Sequence, residues 1–242
     1  MRPLVAAARL LRLVPHVLHG LWIVRRRFDL LSAPERHQLI QWWSVKTLRI
    51  LGIRLNAAGT ALPSGHLLVA NHVSWLDIAA VHAVLPQARF VSKADVKHWP
   101  LVGALVEGAG TLFIERSSKR DALRVVHQTA AALQGGDCVA VFPEGTTGAG
   151  PALLPFHANL LQAAVSTGAP VLPLVLRWHE PGERFSTSAR FIGETTLVQS
   201  LWRIASARGL AIDVQVLPSV ASEGLDRRML GEQLRQVIAA RL

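Results

Sequence analysis

Tyrosine is absent from the 242-residue sequence, cysteine occurs once and methionine twice. One cysteine cannot form an internal disulfide, which excludes the small secreted domains that disulfides hold together. Cys138 stands in the apolar run 138–142, and we interpret it as a core thiol in a reducing compartment. Long linkers, internal repeats and low-complexity tracts are also missing, so the length fits one domain with a sizeable core.

Acidic residues are few as well. The sequence has 16 aspartates and glutamates and 26 lysines and arginines, which gives a net charge of +10. Half of the residues are nevertheless hydrophobic, and the mean hydropathy is +0.31. This combination suits a protein that presses an apolar face into a bilayer and attracts anionic headgroups. A genome rich in arginine codons gives a similar bias, so charge alone leaves both interpretations open. Nucleic-acid binding is not expected, because the sequence has no zinc-finger spacing, aromatic RNA-binding motif or evident helix-turn-helix.

Residues 1–55 are expected to form two membrane-associating helices. Residues 3–24 are apolar except for a stripe at helical spacing, namely Arg9, Arg12, His16 and His19. The two arginines and Pro15 argue against a spanning helix, and a secretory signal would need a small-residue cleavage site. We predict instead an amphipathic interfacial helix whose stripe faces headgroups or the protein body. A second helix over 34–51 would carry Trp42 and Trp43 as interface anchors. The alternative is that both helices simply cover the core.

Residues 56–242 are expected to form one α/β domain with a mostly parallel, mixed sheet flanked by helices. Short apolar runs alternate there with segments of helical periodicity, which implies parallel strands covered on both faces. The predicted strands are 67–70, 89–92, 111–114, 139–142, 171–176, 189–192 and 212–217. The predicted helices are 75–85, 102–108, 120–133, 158–166, 197–207 and 223–242.

A histidine and a carboxylate follow the first predicted strand, in Asn71-His72-Val73-Ser74-Trp75-Leu76-Asp77. In α/β sheets the carboxyl ends of strands are where loops carry chemistry. Histidine can take up a proton near neutral pH, and a carboxylate can fix its tautomer and stabilise its cation. Five residues correspond to a rotation of about 140° on an ideal helix, so we predict His72 on a loop and Asp77 in the first turns of the next helix. Ser74 lacks the Gly-x-Ser-x-Gly surroundings of a serine nucleophile and is expected to cap that helix.

Three further motifs accompany this pair along the chain. They are Gly110-Thr111-Leu112-Phe113-Ile114-Glu115-Arg116, Phe142-Pro143-Glu144-Gly145-Thr146 and Val171-Leu172-Pro173-Leu174. Together with Asn71-His72 and Asp77, in this order and spacing, they resemble the glycerolipid acyltransferase family, the bacterial 1-acylglycerol-3-phosphate acyltransferases and their relatives. The resemblance spans residues 65–180, which makes 56–242 the expected acyltransferase domain.

The resemblance implies a role for the strongest pair and for two cations. His72 would be the general base that deprotonates the acceptor hydroxyl, with Asp77 as its partner, in a direct transfer without an acyl-enzyme. Arg116 would bind the acceptor phosphate through its planar guanidinium. Lys93 matches a lysine that is common in the family and would add positive field, although it also fits a solvated loop.

The remaining site residues follow from the same resemblance. Glu144 and Gly145 would bind the glycerol portion of the acceptor, with Thr146 as a further substrate-binding residue. The alternative for Glu144 is that it holds its loop through backbone amides. Asn71 would lie at the oxyanion side of the substrate or hold a backbone turn. No metal site and no cofactor are expected, because the other histidines lack a metal-ligand pattern.

The expected function is transfer of a fatty acyl chain from acyl-CoA or acyl carrier protein to the free hydroxyl of a lysolipid. The expected acceptor is 1-acylglycerol-3-phosphate, which gives phosphatidic acid, at the cytoplasmic face of the inner membrane. Two departures leave the acceptor open, since Thr147 stands where many members have arginine and His157 where many have lysine. The first resembles lyso-ornithine-lipid and other lysolipid acyltransferases. A lipid-binding protein without catalysis is an alternative from another class, and the retention of His72, Asp77 and Glu144 argues against it.

Overall fold

A computed structural model describes residues 2–59, 64–99, 101–114 and 119–242. The helices of this part are α1 (Arg2–Arg27), α2 (Ala33–Ile50), α3 (Asp77–Val84), α4 (Val102–Gly108), α5 (Lys119–Gln134), α6 (Leu161–Thr167), α7 (Leu197–Ser206) and α8 (Arg227–Ala239). The strands are β1 (Arg54–Ala58), β2 (Leu67–Ala70), β3 (Ala88–Lys93), β4 (Leu112–Ile114), β5 (Cys138–Val141), β6 (Val171–His179) and β7 (Ala211–Val216). Two short 3₁₀ helices cover Phe28–Leu30 and Ala94–His98.

The described strands form one seven-stranded sheet in the order β1-β7-β6-β2-β5-β3-β4. Neighbouring strands run parallel except β6 and β7, which are antiparallel. This confirms the predicted α/β class with a mostly parallel, mixed sheet. β2 lies in the middle of the sheet between β5 and β6, so the loop after β2 opens at the centre of the carboxyl edge.

Side-chain alternation along the central strands builds a core on each face of the sheet. In the fully buried β2, Leu67 and Val69 face one side and Leu68 and Ala70 the other. Helices α2, α3 and α7 cover the second side, and α5, α6 and α8 cover the first. The covering residues include Leu48, Val81 and Ile204 on one face and Leu133, Leu161 and Leu234 on the other.

Two parts of the sheet differ from the sequence prediction. β1 was not predicted, because its residues are mostly exposed at the sheet edge and show no apolar run. Since β1 begins at Arg54, the predicted division at 55/56 falls within this strand. The predicted strand 189–192 is wrong, because this segment is irregular. The Phe191 amide donates to the Val73 carbonyl at 3.0 Å, which fastens the segment to the loop after β2.

The N-terminal helix packs on the α/β body through its predicted stripe. The Arg9 guanidinium donates to the carbonyls of Ala205 and Ala207, at 2.8 and 3.1 Å. His16 is buried and stacks on Trp43 of α2, with ring centroids 5.1 Å apart. Arg9 and His16 of the stripe therefore face the protein body, one of its two predicted orientations, whereas Arg12 and His19 are exposed. Trp43 fills the contact between α1 and α2, and Trp42 stays exposed.

The opposite side of α1 is apolar and exposed. Its large exposed side chains are Leu4, Leu11, Val14, Leu18 and Trp22. The segment Pro3–Leu30 is long and apolar enough to cross a membrane by length and composition. Arg25, Arg26 and Arg27 form the last turn of the helix. We call this exposed apolar side the outer face of α1.

Candidate active site

Predicted site residues lie at the carboxyl ends of adjacent strands, whereas the fourth motif, 171–174, forms the beginning of β6. His72 follows β2, the Phe142–Gly145 segment follows β5 and Lys93 ends β3. β2 pairs with β5, β5 with β3, and β3 with β4. Because parallel neighbours end at the same edge, segments from distant parts of the chain meet there.

His72 and Asp77 are in direct contact. His72 Nδ1 lies 2.8 Å from Asp77 Oδ2, and Asp77 is the first residue of α3. Oδ2 also accepts the amides of Val73 and Ser74, at 2.7 and 2.9 Å. The buried carboxylate thus draws the loop between the two residues into a turn. Because of this turn, His72 and Asp77 are in contact, although two residues five apart would not face each other on a helix.

A fourth donor reaches Asp77 from across the sheet. Trp178 in β6 donates its indole N–H to Oδ1 at 2.6 Å, and both side chains are buried. This contact was not predicted, because 101 residues separate the two and no local pattern marks Trp178. A buried carboxylate with four donors is held as an acceptor-only group.

The hydrogen bonds of Asp77 fix the tautomer of His72. An acceptor-only carboxylate requires a proton on Nδ1, so the neutral ring carries its lone pair on Nε2. The His72 side chain is 18% exposed, and no described residue hydrogen-bonds to Nε2. The ring stacks on Phe142 with centroids 4.0 Å apart and planes inclined by 8°. A lone pair in a fixed, accessible position is what a general base needs.

Glu144 supports the histidine loop from β5. Its two oxygens accept the amides of His72 and Leu154, both at 2.8 Å, and the side chain is buried. Burial raises the pKa of this carboxyl, against the lowering effect of the two amides. Of its two predicted roles, these contacts show the loop-holding one. The Gly148 amide adds a further link by donating to the His72 carbonyl at 2.7 Å.

The other residues of the Phe-Pro-Glu-Gly motif shape a turn. Gly145 has φ +69°, a conformation that favours glycine, and its amide donates to the Phe142 carbonyl at 3.1 Å. Thr146 is exposed. Thr147, which stands in place of the family's arginine, donates its hydroxyl to the Phe191 carbonyl. It therefore fastens the irregular segment that was predicted as a strand.

Asn71 and Ser74 have structural contacts. The Asn71 side chain donates to the Leu176 carbonyl at 2.9 Å and accepts the Leu176 amide at 2.8 Å. It ties the end of β2 to β6, which matches the backbone-holding role among the two predicted. Ser74 is fully buried and accepts the Leu76 amide at 3.3 Å. The prediction that it caps a helix at Trp75 is wrong, because residues 75–76 form a turn and α3 starts at Asp77. Its burial also argues against a nucleophilic serine.

Basic side chains lie on the β3–β4 side of the site. Lys93 is exposed and pairs with Ile114 across the two strand ends. Arg116, two residues further on, lies outside the described residues. An open cavity of about 370 Å³ runs along β4 and includes Lys97, His98 and Arg124 in its lining. This side of the site is therefore suited to an anionic group.

Comparisons with known proteins show the family of this chain. Residues 55–177 match the family model described as Acyltransferase. A lyso-ornithine lipid O-acyltransferase of Pseudomonas aeruginosa is 37% identical, over 98% of this chain and 92% of its own length. A 1-acyl-sn-glycerol-3-phosphate acyltransferase of Neisseria gonorrhoeae is 40% identical, over 78% of this chain and 74% of its own.

A solved structure shares the fold. The crystal structure of the 1-acyl-sn-glycerophosphate acyltransferase PlsC from Thermotoga maritima superimposes with a TM-score of 0.70. The match covers 96% of this chain and 95% of that one, at 19% sequence identity. With His72, Asp77 and Glu144 in contact at one sheet edge and a family model matching 55–177, this chain belongs to the acyltransferase family and is an acyltransferase.

Proposed function

We propose that the chain transfers a fatty acyl chain from a thioester donor to the free hydroxyl of a lysolipid, with His72 as general base. The observation that supports this most is the fixed tautomer of His72, which points a lone pair away from the Asp77 contact. A lipid-binding protein without catalysis would have no need of this arrangement. The donor is proposed to be acyl-CoA or acyl carrier protein, as a substrate and not a resident cofactor.

The proposed reaction proceeds in one transfer through a tetrahedral intermediate. His72 Nε2 takes the proton of the acceptor hydroxyl while the hydroxyl oxygen attacks the thioester carbonyl carbon. The C–O bond forms, the C–S bond breaks, and the imidazolium returns the proton to the departing thiolate. Asp77 stabilises the imidazolium between these events. Glu144 keeps the His72 backbone in place throughout.

A phosphate-bearing acceptor, 1-acylglycerol-3-phosphate, is the first candidate. The relative from Neisseria gonorrhoeae carries that activity in its name. Lys93 ends β3, the strand next to β5, and the motif arginine Arg116 follows β4 in the sequence; the glycerol phosphate is proposed to extend from His72 toward Lys93. Arginine can bind phosphate oxygens with two parallel hydrogen bonds.

Lyso-ornithine lipid is the second candidate, and two substitutions favour it. Thr147 and His157 replace an arginine and a lysine of many family members, so the site has less fixed positive charge than a phosphate acceptor usually meets. The Thr147 hydroxyl is engaged with the Phe191 carbonyl. The Pseudomonas aeruginosa relative, whose name gives this activity, matches this chain over nearly its full length.

The proposed location is the cytoplasmic face of the inner membrane. The outer face of α1 would lie in the lipid interface, with the arginines of its last turn at the phosphate level. Acyl-CoA and acyl carrier protein are cytoplasmic, so their thioester would reach the site from that side.

The experiment is an acceptor panel with one labelled acyl donor and purified full-length protein in detergent. Wild type should acylate 1-acylglycerol-3-phosphate or lyso-ornithine lipid, and His72→Ala should lose about 10²–10⁴-fold in turnover with either. His127→Ala, which changes an exposed histidine on α5, is the matched control. Comparable turnover by wild type and His72→Ala would refute the assignment of the base. Arg116→Ala should lower the rate of transfer most for phosphate-bearing acceptors. An equal loss of rate with uncharged acceptors would exclude a phosphate contact.

A further inference from the structure

The turn that leads into α4 exposes two large apolar side chains. Trp99 is 38% exposed and Leu101 is 50% exposed. Leu101 has φ +65° and ψ −43°, close to a strained γ-turn. In the described part of the chain it is the one residue other than glycine with positive φ. Strain of this kind persists where the surrounding structure enforces it, often at functional positions. Here it holds an apolar side chain toward solvent. We call Trp99 and Leu101 the α4 tip.

The α4 tip is held beside α1 by close helix packing. Gly108 of α4 backs onto Val24, where an added Cβ would lie 2.6 Å from Val24 Cγ1. Gly20 of α1 faces Leu105, and an added Cβ there would lie 3.2 Å from Leu105 Cδ2. Two glycines thus allow α4 and α1 to approach closely at two successive turns. These contacts fix α4, and with it the start of the helix at the α4 tip, against the body-facing side of α1.

The charges around the α4 tip suit a lipid interface. Lys97 and His98 directly precede Trp99 and are exposed. The Lys97 ammonium group pairs with Glu107 at 3.0 Å, toward the other end of α4 from the tip. Tryptophan is enriched at the boundary between acyl chains and headgroups, and lysine is attracted to anionic headgroups.

We propose that the α4 tip inserts into the same bilayer leaflet as the outer face of α1. This inference rests on the proposed function, because it takes the acceptor to be a membrane lipid. The segment from Lys93 to the α4 tip is short and starts at the carboxyl end of β3. Insertion therefore holds the β3–β4 side of the site, where the acceptor headgroup is expected, at the lipid surface. The acceptor would enter sideways from the leaflet without leaving it.

The first test places a reporter at the apex of the α4 tip. Leu101→Cys is labelled with an environment-sensitive fluorophore in the full-length protein, and Met229→Cys on α8 is the control. Met229 is also exposed and apolar, but α8 covers the opposite face of the sheet from α2, α3 and α7. The native Cys138 is buried, so labelling is directed to the introduced thiol. The probe is a vesicle of phosphatidylethanolamine and phosphatidylglycerol containing a lipid with a nitroxide on its acyl chain.

We expect quenching and a blue shift for the label at position 101 and neither for the label at 229. Equal quenching at both positions, or none at 101, would overturn the proposal. As a second measurement, Trp99→Ser and Leu101→Ser should each weaken vesicle binding about three- to tenfold, from the apolar area that insertion would bury. Met229→Ser should leave binding unchanged. Unaltered vesicle binding by both α4 tip variants would also contradict insertion.

Failure of this inference can be told apart from failure of the proposed function. Transfer to an acceptor presented in detergent micelles, with His72→Ala as the inactive control, tests the reaction without a bilayer. If that transfer occurs and the label at 101 is not quenched, the reaction stands and the insertion is refuted. If that transfer is absent, the proposed function itself fails.

Discussion

Replacement of Asp77 by asparagine tests whether the negative charge on this residue drives the reaction. Asp77 accepts from His72, Val73 and Ser74 at Oδ2 and from Trp178 at Oδ1. An amide can accept at only one of these positions. If the amide oxygen takes the position of Oδ2, the amide NH2 group faces the indole N–H of Trp178. In the reverse orientation the NH2 group faces three donors. The first orientation leaves fewer donors unpaired and keeps the proton on His72 Nδ1.

The magnitude follows from the lost charge. With the tautomer preserved, Asp77→Asn removes the carboxylate that stabilises the imidazolium formed during transfer. Two unit charges about 4 Å apart interact by about 4 kcal/mol at the effective dielectric constant of a protein site. That corresponds to a decrease of about 10³-fold in kcat. The free energy of unfolding should also fall, by about 2–4 kcal/mol, because a charge-assisted bond is lost and one buried N–H is left unpaired.

Trp178→Phe is the matched variant, because it removes the same indole donor and keeps the carboxylate. Its free energy of unfolding should fall by about 1.5–3 kcal/mol, while its kcat should stay within about tenfold of wild type. Initial rates of acyl transfer at saturating donor and urea denaturation of each variant measure both quantities. A rate for Asp77→Asn within tenfold of wild type, or an equal loss of rate in both variants, would refute the electrostatic reasoning.

Three further predictions concern stability, each measured by urea denaturation. Burial raises the pKa of Glu144 above its ordinary value of 4.5. The contribution of Glu144 to the free energy of unfolding is therefore complete below pH 4.5 and is lost as the pH rises through its pKa in the folded protein. As the pH rises through this range, the free energy of unfolding of Glu144→Gln should therefore increase relative to that of wild type. A difference that does not change with pH would contradict this prediction. Burial lowers the pKa of His82 from 6.5 to about 4. The contribution of His82 to the free energy of unfolding is complete above pH 6.5 and is lost as the pH falls through about 4, by up to about 3 kcal/mol. In His82→Gln the free energy of unfolding should change less with pH over this range. Gly20→Ala should cost about 1–3 kcal/mol, because an added Cβ would lie 2.4 Å from Trp43 Nε1; Gly135→Ala, with no contact closer than 3.4 Å, is the control.

The apolar runs and the motifs of the central strands could be predicted because their signals are local. β2 coincides with the predicted 67–70, since a strand buried on both faces reads as a continuous apolar run. The loop position of His72 and the helical position of Asp77 follow from helix geometry alone and are as predicted. Edge strand β1 gave no such signal, because its mostly exposed residues need no apolar pattern.

The remaining features depend on contacts between distant parts of the chain. Ala189 is fully buried and the Phe191 amide donates to the Val73 carbonyl, so the segment 189–192 is held by the loop after β2 and not by a neighbouring strand. The backbone contacts of Glu144 and Asn71 likewise involve groups far along the chain, the His72 amide and the Leu176 carbonyl. Trp178 could not be recognised at all, because only the fold brings β6 against the start of α3.

The stacking of His72 on Phe142 restricts how an alcohol can reach the base. An imidazole lone pair lies in the plane of its ring, and that plane is nearly parallel to the phenyl ring below. The incoming oxygen must therefore approach edge-on, in a layer one ring-thickness above Phe142. A hydroxyl descending from directly above the imidazole would meet only its π-cloud.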